Sequence, residues 1–223
     1  APFWFAHIVR MGAEDTPYSE QERYDYIRRM VETINITGRV SVQVYGVENL
    51  PQQDGFIMFP NHQGLFDVLA LIEASSHPFG VVIKKEAAGI LLVKQVVRAL
   101  RGIAIDRDDI KSAMEIIRQM TREVKEGRNY VIFPEGTRSR NGNQILPFKA
   151  GTFKSAVNAR CPIVPVALID SYRPFDEGGI GRRTVQVHFL PPLMPEQYIG
   201  KKTVEIADIV HDSIQDKIDQ NIW

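Results

Sequence analysis

At 223 residues the chain is long enough for one sizeable α/β domain and short for two. Its 27 Lys and Arg balance 27 Asp and Glu, which excludes the strong positive charge of a nucleic-acid binder. The single cysteine, Cys161, excludes an internal disulfide and points to a reducing compartment. No uninterrupted apolar stretch reaches the ~18 residues of a spanning helix.

The first residues, Ala1 to Met11, are aromatic and apolar. They read either as an element packed on the core or as an interfacial anchor, because Trp and Phe favour the headgroup level of a bilayer. The missing initiator Met suggests that an upstream segment has been removed. Ser19 and Glu22 form a capping box ahead of Tyr24, Ile27, Val31 and Ile34, which predicts an amphipathic helix ending near Gly38. Val40, Val42 and Val44 alternate with polar residues and predict a half-buried strand. After a turn over 51–55, an apolar strand runs to Phe59 and stops at Pro60, and a helix opens at Asp67 and continues to about Ser75.

Further along, strands are expected over 79–83, 102–107, 129–133, 163–169 and 184–190. The helices between and after them are expected over 86–100, from an Asp109 cap to Gly127, briefly after Gly151, and over 203–220. Strands alternating with helices predict an α/β fold: a single domain with a mostly parallel or mixed central sheet flanked by helices, and an N-terminal helical or apolar segment. Residues 1–38 would form that segment, a possible membrane-interface element, and residues 39–223 the main domain.

Three of the expected strands end in polar clusters. The first is Asn61-His62-Gln63-Gly64-Leu65-Phe66-Asp67. Five positions on one helix would turn His62 and Asp67 about 140° apart, so they meet only if His62 lies in the turn and Asp67 in the first helical turn. Asp67 could then accept from one ring nitrogen and leave the other as a proton acceptor, the base-plus-orienter half of a triad. The competing reading is a structural His beside a helix N-cap. The second cluster, Glu135-Gly136-Thr137-Arg138, offers guanidinium, hydroxyl and backbone N–H groups to an anion, or is a solvated turn in which Glu135 neutralises Arg138. Arg107, at the end of its own strand, could join the same anion. The chain lacks G-x-S-x-G and P-loop patterns, His7, His77, His188 and His211 are too scattered to suggest a metal site, and Cys161 reads as buried filler.

The order of these clusters resembles the glycerolipid acyltransferase family. Asn61 to Asp67 matches its N-H-x-x-x-x-D block and Phe133 to Ser139 its F-P-E-G-T-R-S block. Gly102 to Arg107 and Ile163 to Val166 resemble the two others, so the likeness covers roughly residues 40 to 190. Within the family the pattern is most like the bacterial 1-acyl-glycerol-3-phosphate acyltransferases. In the second block the family's Gly often stands where this chain has Arg101, and a larger residue where it has Ala104.

The resemblance implies transfer of a fatty acyl group from acyl-CoA or acyl carrier protein, as co-substrate, to the free hydroxyl of lysophosphatidate. No other cofactor and no metal are implied. His62 would be the base and Asp67 its orienter. Arg107, Gly136, Thr137 and Arg138 would hold the acceptor phosphate, Glu135 would orient the cluster or the glycerol hydroxyl, and Lys84 or Lys85 would face the phosphate or the oxyanion. The setting would be the cytoplasmic face of the cell membrane, with the protein peripheral or anchored by a segment outside this chain. Glycerol-3-phosphate or another lysolipid as acceptor, a non-catalytic lipid-binding module and a thioesterase remain open at this point.

Overall fold

The computed structural model describes residues 2–85, 89, 91–106, 109–179 and 181–221. In chain order they form α1 (Pro2–Met11), α2 (Glu20–Thr37), β1 (Val40–Tyr45), β2 (Ile57–Pro60), α3 (Asp67–Ala74), β3 (Gly80–Lys84), α4 (Leu91–Ala99) and β4 (Ile103–Ile105). These are followed by α5 (Ile110–Lys125), β5 (Tyr130–Val131), α6 (Lys154–Ala159), β6 (Ile163–Ile169), α7 (Arg173–Asp176), β7 (Arg183–Phe189), α8 (Pro195–Tyr198) and α9 (Thr203–Asp219). The start of the helix expected over 86–100 falls on residues 86–88 and 90, outside the described residues.

Local signals set the element boundaries. Ser19 and Glu22 make the expected reciprocal cap of α2, and the Asp109 side chain accepts from the Lys111 and Ser112 amides at the start of α5. Pro134 cannot donate, so β5 pairs only briefly, although the Ile132 amide still reaches Met58 O at 3.0 Å.

The strands form a seven-stranded mixed sheet in the order β1-β7-β6-β2-β5-β3-β4. Every neighbouring pair is parallel except β6 and β7. The carboxyl ends of β6, β2, β5, β3 and β4 therefore lie along one edge of the sheet. β6 is buried at all seven positions and runs beside β2, where the register pairs Ile57 with Ile163 and Pro60 with Val166.

Side chains of successive strand residues point to opposite faces, and the two faces have separate cores. Phe56 and Met58 of the β2 segment, with Val164 and Leu168 of β6, pack under α2 and α3. Ile57, Phe59, Ile163 and Ile169 pack under α5, α6 and α9 on the other face. Ile8 and Met11 of α1 join Tyr24, Ile27 and Val31 of α2 in the first core, so segment 1–38 packs on the same sheet as the rest. Among the described residues no helix is long and apolar enough to cross a membrane.

Candidate active site

β2 delivers the first cluster, and β6 fixes where it stops. The Asn61 amide bonds both ways across to Leu168, donating to its carbonyl at 3.0 Å and accepting from its N–H at 2.7 Å. The chain then turns back, and His62 Nδ1 lies 2.7 Å from Asp67 Oδ2. Asp67 is fully buried, where an unpaired carboxylate would be costly. Its oxygens accept from the Gln63 amide at 2.7 Å, from the Gly64 amide at 3.0 and 3.1 Å, and from the Ser171 hydroxyl.

Asp67 is thus more than a helix cap: it opens α3, but its carboxylate faces back into the turn. With Nδ1–H given to Asp67, the Nε2 of His62 is left as a proton acceptor. The ring stacks on Phe133 at 4.1 Å between centroids and remains partly open to solvent.

The second cluster grips the same turn from β5. Glu135 is buried; its Oε1 accepts from the His62 amide at 2.7 Å and its Oε2 from the Leu146 amide at 3.1 Å. Burial pushes the Glu135 carboxyl up to about 7, against the opposing pull of those two donors. The Ser139 amide donates to His62 O at 2.9 Å, so both backbone polar groups of His62 are held by this cluster. Glu135 therefore orients the histidine turn and does not neutralise Arg138.

Gly136 takes a left-handed backbone conformation. At φ +75 its N–H turns back to Phe133 O at 3.1 Å and is not offered to an anion. That positive φ is what favours glycine here, and the missing side chain leaves open space. A Cβ there would meet the Lys149 ammonium at 2.8 Å and its Cε at 3.1 Å, so Lys149 lies across the turn. Thr137 is exposed and Arg138 half-buried on the same turn.

The other strand ends line up as expected. β3 ends at Lys84, with Lys85 Nζ 3.5 Å from Asp106 Oδ2 beyond β4. Arg107 lies outside the described residues. One contributor was missed by sequence reasoning: the end of β6. Ser171 holds Asp67, and its amide donates to Gln63 Oε1 at 2.8 Å. Asn143 ties the same corner together, accepting from Gln63 Nε2 at 2.8 Å and donating to Asp170 at 2.9 Å. The available signal was Asp170-Ser171 closing a fully apolar strand. Cys161 is buried, its thiol pushed up to about 12 by burial, as befits packing filler. A cleft of about 1000 Å³ bordered by Arg101, Gly102, Gly127 and Arg128 lies at the opposite strand ends, away from His62.

Comparison with known proteins decides the family. The model of the family described as Acyltransferase matches residues 41–169, from within β1 to the end of β6, including His62, Asp67 and Glu135. The chain belongs to the Acyltransferase family. It is an acyltransferase in which the two matched blocks interlock through the backbone of His62. A 1-acyl-sn-glycerol-3-phosphate acyltransferase from Borreliella burgdorferi is 29% identical over 182 residues, covering 81% of this chain and 72% of the relative. One from Escherichia coli is 31% identical over 163 residues, covering 73% and 66%. The human alpha enzyme of that name is 29% identical over 197 residues, covering 86% and 69%. The crystal structure of a 1-acyl-sn-glycerophosphate acyltransferase from Thermotoga maritima shares the fold at a TM-score of 0.76 and 22% identity, covering 99% of this chain and 90% of that one.

Proposed function

We propose that this acyltransferase moves a fatty acyl group from a thioester donor, acyl-CoA or acyl carrier protein, to the free hydroxyl of lysophosphatidate, yielding phosphatidate. The observation that carries the reading is the buried Asp67 held on His62 Nδ1, which leaves Nε2 as the acceptor nitrogen of a ring partly open to solvent. A thioester is already activated, so the enzyme needs no nucleophile of its own. His62 Nε2 takes the hydroxyl proton as the alkoxide oxygen attacks the thioester carbonyl. The tetrahedral intermediate then collapses, the C–S bond breaks, and the imidazolium returns its proton to the departing thiolate. Asp67 stabilises the imidazolium between the two steps.

General base catalysis of this kind supplies about 10²–10⁴-fold, with positioning and oxyanion stabilisation adding the rest. Arg138 and Thr137, with Lys84 and Lys85 from the end of β3 and with Arg107, are the groups assigned to the acceptor phosphate and the oxyanion. The setting is the cytoplasmic face of a membrane, where exposed Trp4 and Val9 of α1 would meet the interface.

The test is thiol release from acyl-CoA and acyl carrier protein, with and without lysophosphatidate, beside the His62→Ala protein. Release is expected to need both the acceptor and His62, with a loss of about 10²-fold or more in the variant. Acceptor-independent release would make the protein a thioesterase, and wild-type rates in His62→Ala would remove His62 as the base.

A further inference from the structure

We propose that Lys149, which lies outside the matched block at 133–139, is a phosphate-binding residue for the acceptor. This rests on the acceptor reading above and deepens it. Two observations place the lysine. Its backbone is fixed, with its N–H donating to Pro134 O at 2.9 Å and its carbonyl accepting from the Thr152 amide at 3.0 Å and hydroxyl at 2.6 Å. Its side chain then lies across the turn: a Cβ on Gly136 would stand 3.2 Å from Lys149 Cδ and 2.8 Å from Nζ, so the stem and the ammonium both run over that residue.

The charge placed there is not used internally. The adjacent carboxylate, Glu135, has its oxygens on the His62 and Leu146 amides, and the Lys149 ammonium makes no ion pair among the described residues. Arg138, on the turn that Lys149 crosses, makes none either. Lys149 and Arg138 put two cationic side chains on one turn, and two positive charges on one turn favour an anion beside them. A phosphate monoester carries close to two charges and accepts at three oxygens, which suits one lysine and one arginine. Gly136 thus has a use other than the amide donor suggested by its sequence: it seats the lysine that contacts the ligand.

Phosphate groups occur in both substrates, on the acceptor headgroup and on the donor's pantetheine arm or nucleotide, so the test separates them. Acyl transfer is measured for wild-type, Lys149→Met and Lys149→Arg proteins, Met keeping the apolar stem across Gly136. The KM for lysophosphatidate is expected to rise about ten- to hundredfold in Lys149→Met, the size of one charged hydrogen bond, with partial recovery in Lys149→Arg. The KM for acyl-CoA should stay within about twofold, since a charge bound to the other substrate is not lost. The penalty should shrink for a monoacylglycerol acceptor, which has no phosphate.

An unchanged lysophosphatidate KM, a rise confined to the donor KM, or an equal penalty on both acceptors would overturn the assignment. If the wild-type protein fails to acylate lysophosphatidate, the acceptor reading itself is wrong. Calorimetric titration with lysophosphatidate then decides about Lys149: weaker binding in Lys149→Met supports the inference, and equal binding ends it.

Discussion

At the scale of single residues, His62 is held by partners that leave one ring nitrogen free: Asp67 takes Nδ1, and Glu135 and Ser139 take the backbone. Asp67 accepts hydrogen bonds from four donors, and only one of them, Ser171, lies outside the turn that contains it. Ser171→Ala leaves that carboxylate oxygen with the Gly64 amide alone. A fall of about tenfold in kcat is expected, with lysophosphatidate KM unchanged, from the size of one hydrogen bond to a charged group. Steady-state kinetics of acyl transfer would reveal it, and a wild-type kcat would show that the backbone donors suffice.

Glu135 gives a second residue-scale expectation. Its folded-state carboxyl stands at about 7, above its ordinary value of 4.5, because burial opposes the charge. A group raised on folding contributes stability that is complete below the unfolded value and is lost as pH rises through the folded one. Between pH 4.5 and 7 this amounts to about 3 kcal/mol at most, at 1.36 kcal/mol per unit. Urea midpoints should therefore fall from pH 5 to pH 8 in the wild-type protein, and Glu135→Gln should flatten that slope. Parallel slopes in the two proteins would assign the titration elsewhere.

Among elements, the decisive contacts are where a strand end meets its neighbour without a side chain between them. Gly102 opens β4 against β3, and a Cβ there would lie 2.6 Å from Val81 O and 2.8 Å from Val97 Cγ1. The family's glycine often stands one position earlier, where this chain has Arg101. Here Arg101 takes the left-handed conformation at φ +52 and donates to Ala13 O and Glu14 O at 3.3 Å. The close approach in this chain is at Gly102. Gly102→Ala must push β4 away from β3 or α4 and should cost about 1–3 kcal/mol, as overpacking in a tight site does. Chemical denaturation would measure it. A cost near zero would mean that the β4 edge yields freely.

For the whole molecule, one sheet edge gathers residues that are more than a hundred positions apart: His62, Glu135 and Ser171 come from β2, β5 and β6. The same assembly buries Ile8 and Met11 of α1 in the core and leaves Trp4 and Val9 outside. Replacing both exposed residues, Trp4→Ser with Val9→Ser, should weaken sedimentation with anionic phospholipid vesicles severalfold. The melting temperature should change little, because neither side chain is in the core. Undiminished sedimentation would take α1 out of the account of membrane contact.

Much of this protein was legible in its sequence because the signals are local. Strand and helix periodicities follow from backbone geometry within a few residues, so α2, β1, α3, α5 and α9 lie close to where the pattern put them. His62 and Asp67 are five positions apart, and turn geometry alone required them to meet or be unrelated. The rest depended on which strands lie side by side. The sheet order, with β6 next to β2, brings Ser171 onto Asp67 across 104 residues, and no short-range pattern encodes that pairing. The roles of Glu135 and Gly136 were also decided in three dimensions. One carboxylate turned inward to the His62 amide, and one glycine made room for Lys149, because packing determines where a polar group finds its partner.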